Sequence, residues 1–290
     1  MKKAVVIGGD SRQFYLAQYL EAGGLEVEML SVQLPEQEKR WMSSSCLEEL
    51  VIHADIIALP VPVCQDGNHI KGMKEETLKD VAEYVTEGQQ LYGGILPLRF
   101  VKACEKKGCS CFDYMKSDTI AVENAVATAE GAIAELIQQS TGNLHGSQVL
   151  VIGYGRCGKV LCQKLHGLNA QVTVMARREE MRAEAEAIGF SSLPMFNDCR
   201  DAHFAKYNFV INTVPSPVLT WETLGGFKQE VIILDIASAP GGTDFIACKE
   251  LGLTASLSLG IPGRYAPKTS GEILGKQILN RCSETGWEPT

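Results

Sequence analysis

Residues 147–178, SQVLVIGYGRCGKVLCQKLHGLNAQVTVMARR, decide the fold. They read as an apolar strand, a glycine turn, a helix with apolar residues at helical spacing and a second strand, AQVTVMA, which together make one βαβ unit. Gly153, Gly155 and Gly158 complete G-x-G-x-x-G inside it. In such a turn the first glycine permits the tight bend, the second brings backbone against a pyrophosphate, and the third lets helix pack on strand. Glycines at this spacing are common, but the strand before and helix after mark a dinucleotide-binding turn. Its residues are Gly153, Tyr154, Gly155, Arg156, Cys157 and Gly158. Where NAD proteins place an acid for the ribose 2′-hydroxyl, this chain has Ala176, Arg177 and Arg178. An acid would repel a 2′-phosphate and a guanidinium can grip one, so NADP is favoured over NAD. A solvated arginine pair at a helix start is the alternative.

The alternation continues outward on both sides. Downstream, FVINTVPSP, EVIILDIASAPGGTDF and TASLSLG supply further strands. Ligands of doubly wound sheets lie at the carboxyl ends of strands. That places Thr213, Val214 and Pro215, then Ser238 and the rest of 238–244, then 260–269, around one crevice. Upstream, ENAVATAEGAIAELIQQSTG carries a helical stripe at Val126, Ala129, Ile133, Leu136 and Ile137, and reads as a long connecting helix. Before it, LEVEML, ADIIALPVP, KEETLKDVAEYV, GQQLYGG, LRFVKACEKKG and CSCFDY alternate strand and helix, while 36–50 read as loop plus a weak helix. The expected fold is α/β: two Rossmann-like domains with doubly wound parallel sheets, joined by a long helix, with an active-site cleft between them.

The chain opens on a turn of a different kind. KKAVVIGGDSRQ, residues 2–13, is again strand, glycine turn and helix, but the third glycine is missing and Asp10 stands where a pyrophosphate would sit. Asp10 either caps the helix, with Arg12 solvated, or orients Arg12 or Ser11 toward an anionic guest.

The 290 residues, 45% hydrophobic and 21% charged, accommodate two ordinary globular domains. A net charge of -8 with no basic run beyond RR or KK argues against a nucleic-acid or anionic-membrane footprint. No apolar run approaches the ~20 residues that span a bilayer, and the start lacks a signal peptide's pattern, so a cytoplasmic protein with no membrane association is expected. Ten dispersed cysteines read mostly as buried free thiols. CEKKGCSC, with Cys104, Cys109 and Cys111, lacks paired knuckles and a nearby histidine, so no metal site is assigned.

In GGDSRQ, HGSQVLVIGYGRCGK, INTVPSP, ILDIASAPGGTDF and GIPGRYAPKTSGEIL, which extend across essentially the whole chain, the sequence resembles the dipicolinate synthase A-subunit family of endospore-forming bacteria. The resemblance implies a Rossmann-type NADP domain beside an N-terminal α/β domain, in the manner of D-2-hydroxyacid dehydrogenases. The boundaries are then 1–125 for the substrate domain, rejoined by a C-terminal helix at 269–290, and 126–268 for the linking helix and nucleotide domain. It implies oxidation of a dihydrodipicolinate-level intermediate to dipicolinate, a small dicarboxylate, together with the flavoprotein-like B-subunit of dipicolinate synthase. An oligomeric assembly in the mother-cell cytoplasm during sporulation follows from the same resemblance. A hydroxyacid dehydrogenase would use a His with a Glu and an Arg in its nucleotide half, yet no histidine follows His203.

Substrate contacts are expected from Gly9, Asp10, Ser11 and Arg12, and from Gly241, Gly242 and the turn 263–269 with Gly263, Arg264 and Thr269. Aromatisation is downhill, so positioning and a hydride acceptor do much of the work. One proton must still leave a carbon, and Lys268, Glu130 or water could take it. Two other readings stay open: a 2-hydroxyacid or amino-acid dehydrogenase relative, and a non-catalytic cofactor-binding regulatory protein.

Overall fold

The computed structural model describes residues 1–32, 45–196 and 203–284. It divides into two compact units, 1–124 with 266–290, and 125–265. The first unit runs β1 (Lys3–Ile7), α1 (Ser11–Ala22), β2 (Glu26–Leu30), α2 (Leu47–His53), β3 (Ile56–Ala58), α3 (Leu78–Tyr84), β4 (Gln90–Gly93), α4 (Leu98–Glu105) and β5 (Ser110–Asp113). All its strand pairs are parallel, in the order β2-β1-β3-β4-β5. The alternating side chains of KAVVI explain how one strand serves two layers: Ala4 and Val6 join a core with α1, whereas Val5 and Ile7 join a second with α2, α3 and α4. Of the segment 36–50, the helix begins at Leu47, and 36–44 lie outside the described residues.

The helix α5 (Asp118–Gln139) begins five residues before the expected start because Ser117 Oγ accepts from Ile120 N and caps it. Its stripe is narrower than expected. Ala129, Ile133 and Leu136 are buried, but Val126 and Ile137 are exposed, and Ala125 and Ala132 fill the core instead. The last helix, α11 (Pro267–Glu284), starts on a proline, which suits a first helical position, and belongs to the first unit. It lies close on α1. A Cβ at Gly271 would come 2.4 Å from Arg12 O, and one at Gly275 would come 2.8 Å from the Tyr19 ring. Residues 285–290 of the expected C-terminal helix lie outside the described residues.

The second unit runs from β6 (Gln148–Ile152), α6 (Arg156–Gly167), β7 (Gln171–Met175), α7 (Glu179–Ala187) and β8 (Ser191–Leu193) to β9 (Phe209–Asn212), α8 (Trp221–Leu224), β10 (Ile232–Asp235), α9 (Phe245–Glu250), β11 (Thr254–Leu257) and α10 (Ile261–Tyr265). Its parallel sheet has the order β11-β10-β9-β6-β7-β8. Counted from its own first strand this is the dinucleotide-binding order, and the first sheet has the flavodoxin-like one. Both sheets are doubly wound and Rossmann-like, as the alternation predicts. Strand order reverses at β1/β3 in the first and at β6/β9 in the second, and such reversals are where open α/β sheets hold ligands. Among the described residues no helix is long and apolar enough to cross a membrane.

Candidate functional site

At the β6/β9 reversal the three glycines have three different surroundings. Gly153 has φ +97°, and a Cβ there would lie 2.2 Å from Thr213 Oγ1. A Cβ on Gly158 would lie 2.2 Å from Gly153 O, so helix and strand meet only if it is absent. Around Gly155 a Cβ would meet nothing within 4 Å. The first and third glycines are thus demanded by the protein's own packing, while the second opens a free approach at the start of α6, as a pyrophosphate requires. The turn fits a dinucleotide. Two residues of the expected set point elsewhere: the Tyr154 side chain is buried in the core, and the partly buried Cys157 thiol, raised by burial, bonds Thr128.

Facing this turn, Thr213 donates through both N and Oγ1 to Ile152 O, at 2.9 and 3.0 Å. Two residues that the sequence analysis missed fix its shape. Asn212 Nδ2 donates to Val214 O and to Asp235 Oδ2, each at 3.0 Å, while Asn212 Oδ1 accepts from Val214 N. Fully buried Asp235 also accepts from Ala237 N, Gly242 N and Thr243 Oγ1. Their signal was a polar residue closing two apolar strands, FVIN and IILD, that pair in register. Pro215 and Ser238 are exposed at these strand ends.

This network gives Gly241 and Gly242, read as a substrate wall, a packing reason of their own. Gly241 has φ +85° and abuts the Asp235 carboxylate, and a Cβ at Gly242 would fall 2.4 Å from Ser216 O and 2.6 Å from Val214 O. The close approach is by the chain's own carbonyls. Gly242→Val is therefore expected to cost about 1–3 kcal/mol of stability by overpacking. Urea denaturation checks this, and an unchanged midpoint would overturn it.

At the end of β7, Ala176 is buried and its N donates to Leu193 O, while Arg177 and Arg178 are exposed. Arg178 lies 3.3 Å from Glu180, and Arg177 has no side-chain partner among the described residues. Arg182, unremarked in the sequence, donates to Ala176 O and Arg177 O and so pins this strand end.

At the β1/β3 reversal, Gly8 and Gly9 take φ +61° and +88°, and their N–H groups go to Leu30 O and Lys71 O. The missing third glycine is Gln13, whose buried side chain donates to Leu59 O. Asp10 combines part of each reading. It caps α1, accepting from Arg12 N, and it binds the Arg12 guanidinium through Nε at 2.8 Å and Nη2 at 2.7 Å. Nη2 also donates to Val61 O. Arg12 is thus buried and held, and its two-pronged edge is spent on Asp10, which leaves Nη1 as the edge available to a guest. Burial alone would raise the Asp10 pKa, but the hydrogen bonds and charges of Arg12 and then Lys71 outweigh it and hold the carboxyl well below the usual range. Ser11 opens α1, partly exposed.

The remaining expected residues are dispersed. Glu130 pairs at 2.8 Å with Lys164, which is about 12 Å along α6 from the glycine turn at 1.5 Å per residue, so it is withdrawn as a base. Lys268 is exposed in the first turn of α11, 4.0 Å from Glu272, and Thr269 beside it is exposed. Gly263 lies within α10, a helix the Pro- and Gly-rich sequence did not suggest. Arg264 is engaged by buried partners, with Nη2 at 2.6 Å from Ser258 Oγ and 2.7 Å from Glu135. The described cysteines are free thiols; hydrogen bonding to Cys111, then burial, pushes Cys104 and Cys109 well above the usual thiol range.

Fold and glycine turn define a two-unit Rossmann-like α/β protein. D-lactate dehydrogenase of Escherichia coli shares this fold, with a TM-score of 0.63 at 13% identity over 99% of this chain and 98% of its own. Residues 3–115 match the family described as the N-terminal domain of the dipicolinate synthase A-subunit. The chain is similar to the dipicolinate synthase A-subunit along nearly its whole length: it is 29% identical to that of Bacillus subtilis over 97% of this chain and 96% of the relative. The crystal structure of the Bacillus halodurans A-subunit superposes with a TM-score of 0.85 at 27% identity, covering 97% of each chain.

Proposed function

We propose that this chain is the nucleotide-binding component of a dipicolinate synthase, oxidising a dihydrodipicolinate-level intermediate to dipicolinate with NADP during spore formation, beside a flavoprotein-like B-subunit. The observation that carries the reading is the second unit's glycine turn, open at Gly155 and followed at the end of β7 by exposed Arg177 and Arg178 in place of an acid. Bound there, the nicotinamide supplies a two-electron hydride acceptor. The chain's own residues bind and orient: backbone N–H groups at the start of α6 take the pyrophosphate, and Arg177 and Arg178 take the 2′-phosphate. Arg12 holds a substrate carboxylate through Nη1. The ring must also lose one proton, and water receives it, since Lys268 is exposed beside Glu272 with nothing to strip its ammonium. Localisation to the mother-cell cytoplasm and assembly into an oligomer with the B-subunit belong to the same proposal.

The test is to mix the purified chain with the B-subunit, the dihydrodipicolinate-level intermediate and NADP, and follow dipicolinate absorbance. Formation of dipicolinate with matching NADPH supports the reading. NADPH binding without hydride transfer in the pair replaces it with a regulatory role, and NADPH-dependent reduction of 2-keto acids replaces it with a hydroxyacid dehydrogenase. NADPH is expected to bind at least about tenfold more tightly than NADH, since hydrogen bonds to charged groups contribute about 1.5–3 kcal/mol. Changing Arg177 and Arg178 together to Ala is expected to narrow that gap, and equal affinities in the unchanged protein would sink the preference.

A further inference from the structure

We propose that Lys71 is the second cationic arm of a carboxylate-binding site at the β1/β3 reversal, with Asp10 as the counter-ion it shares with Arg12. The inference rests on the reading that this turn receives the substrate, and it names how the dicarboxylate is recognised. Lys71 Nζ lies 2.9 Å from Asp10 Oδ2, the same oxygen that Arg12 Nη2 reaches at 2.7 Å. Two cations thus share one carboxylate, and among the described residues no other acid pairs with either. The site keeps one net positive charge. One of its carriers, Arg12, has a side chain only 10% exposed. A buried cation that is half-neutralised is costly until an anion completes it.

The donors that remain suit a carboxylate. Arg12 spends Nε and both Nη2 hydrogens on Asp10 and Val61, which leaves Nη1. Lys71 spends one ammonium hydrogen on Asp10 and has no other partner among the described residues. The chain brings Lys71 here by folding the segment after β3 back over the first turn. Val63 N donates to Gly94 O, Lys71 N to Val63 O, and Gly9 N to Lys71 O at 2.6 Å. The seam admits no side chains: a Cβ at Gly8 would lie 2.5 Å from Lys71 O, and one at Gly72 2.6 Å from Gly9 N. Its main chain is held on both sides by backbone and its Nζ by Asp10, and only 23% of the Lys71 side chain is exposed. One carboxylate bridging Nη1 of Arg12 and Nζ of Lys71 satisfies both cations, and the ring and second carboxylate of the substrate extend away from it.

Isothermal titration of the full-length chain with pyridine-2,6-dicarboxylate, with NADPH present, tests this. Lys71→Met is expected to weaken binding at least about tenfold, the loss of one charge-assisted hydrogen bond, with NADPH affinity unchanged. Lys71→Arg, which keeps the charge, is expected to stay within about threefold of the unchanged protein, a difference of less than 1 kcal/mol. Wild-type affinity in Lys71→Met, no rescue by Lys71→Arg, or no binding of the diacid by the unchanged chain overturns the inference. Failure of the reaction reading looks different: the diacid binds, Lys71→Met weakens it, and the mixture with the B-subunit makes no dipicolinate.

Discussion

Changing Arg12 to Met is expected to raise the KM for the dicarboxylate substrate by about 100-fold or more, to the point of abolishing measurable turnover, while NADPH affinity stays the same. Removing one member of a buried, hydrogen-bonded charge pair costs about 2–5 kcal/mol at a binding site, and 100-fold corresponds to the lower part of that range. The loss has two sources. The ligand loses Nη1, and Asp10 loses the guanidinium that holds its carboxylate, leaving Lys71 Nζ as its remaining cation. Freed in this way, Asp10 presents negative charge to an incoming diacid. Steady-state kinetics and NADPH titration of the same preparation check the result, since the nucleotide turn lies in the other unit. Normal kinetics for Arg12→Met would return GGDSRQ to architecture.

The second large effect is on stability. Asp235→Ala strips the acceptor from four donors, Asn212 Nδ2, Ala237 N, Gly242 N and Thr243 Oγ1, all closed around a fully buried carboxylate. Each orphaned buried donor costs about 1–3 kcal/mol, so even with partial relaxation a loss on the order of 4 kcal/mol is expected. The damage should also reach the cofactor, because Asn212 shapes the Val214 turn that faces Gly153. Urea denaturation with and without NADPH measures both. A loss below about 1 kcal/mol, within the ordinary range for a single substitution, would show that the carboxylate is not the fastener described.

What the sequence made legible follows from how locally each feature is encoded. The glycine turn was readable because the closely spaced glycines 153, 155 and 158 impose their own geometry between a strand and a helix. The strand alternation was readable for the same reason, being a pattern of period and length. Lys71 was not, because its role depends on a loop that returns its backbone to Gly9, and nothing in KGM announces that. Gly241 and Gly242 left the partner open, because glycine signals close approach without saying what approaches, and here it is Ser216 O and Asp235. The fork of Arg12 was legible only in part: Asp10 was read as orienting Arg12, but not as claiming its two-pronged edge through Nε and Nη2. Arg264 was legible as a residue at a strand end and illegible as one already held by Glu135 and Ser258.

The seating of α11 on α1 bears on how the molecule is made. The glycines at 271 and 275 let the last described helix press against the backbone of Arg12 and the ring of Tyr19, so the first unit is assembled from two stretches that flank the second. On the ribosome, residues 125–265 emerge as an uninterrupted piece and can fold as they appear, whereas the earlier-made part of the first unit waits for residues that follow residue 265. The helix that carries Arg12 therefore acquires its final neighbour only after the whole second unit has been synthesised. A nascent or prematurely terminated chain has a complete second unit and an unfinished first one, and a truncation at residue 265 would deprive α1 of α11 while leaving the glycine turn, Arg12 and Lys71 all in place in the sequence.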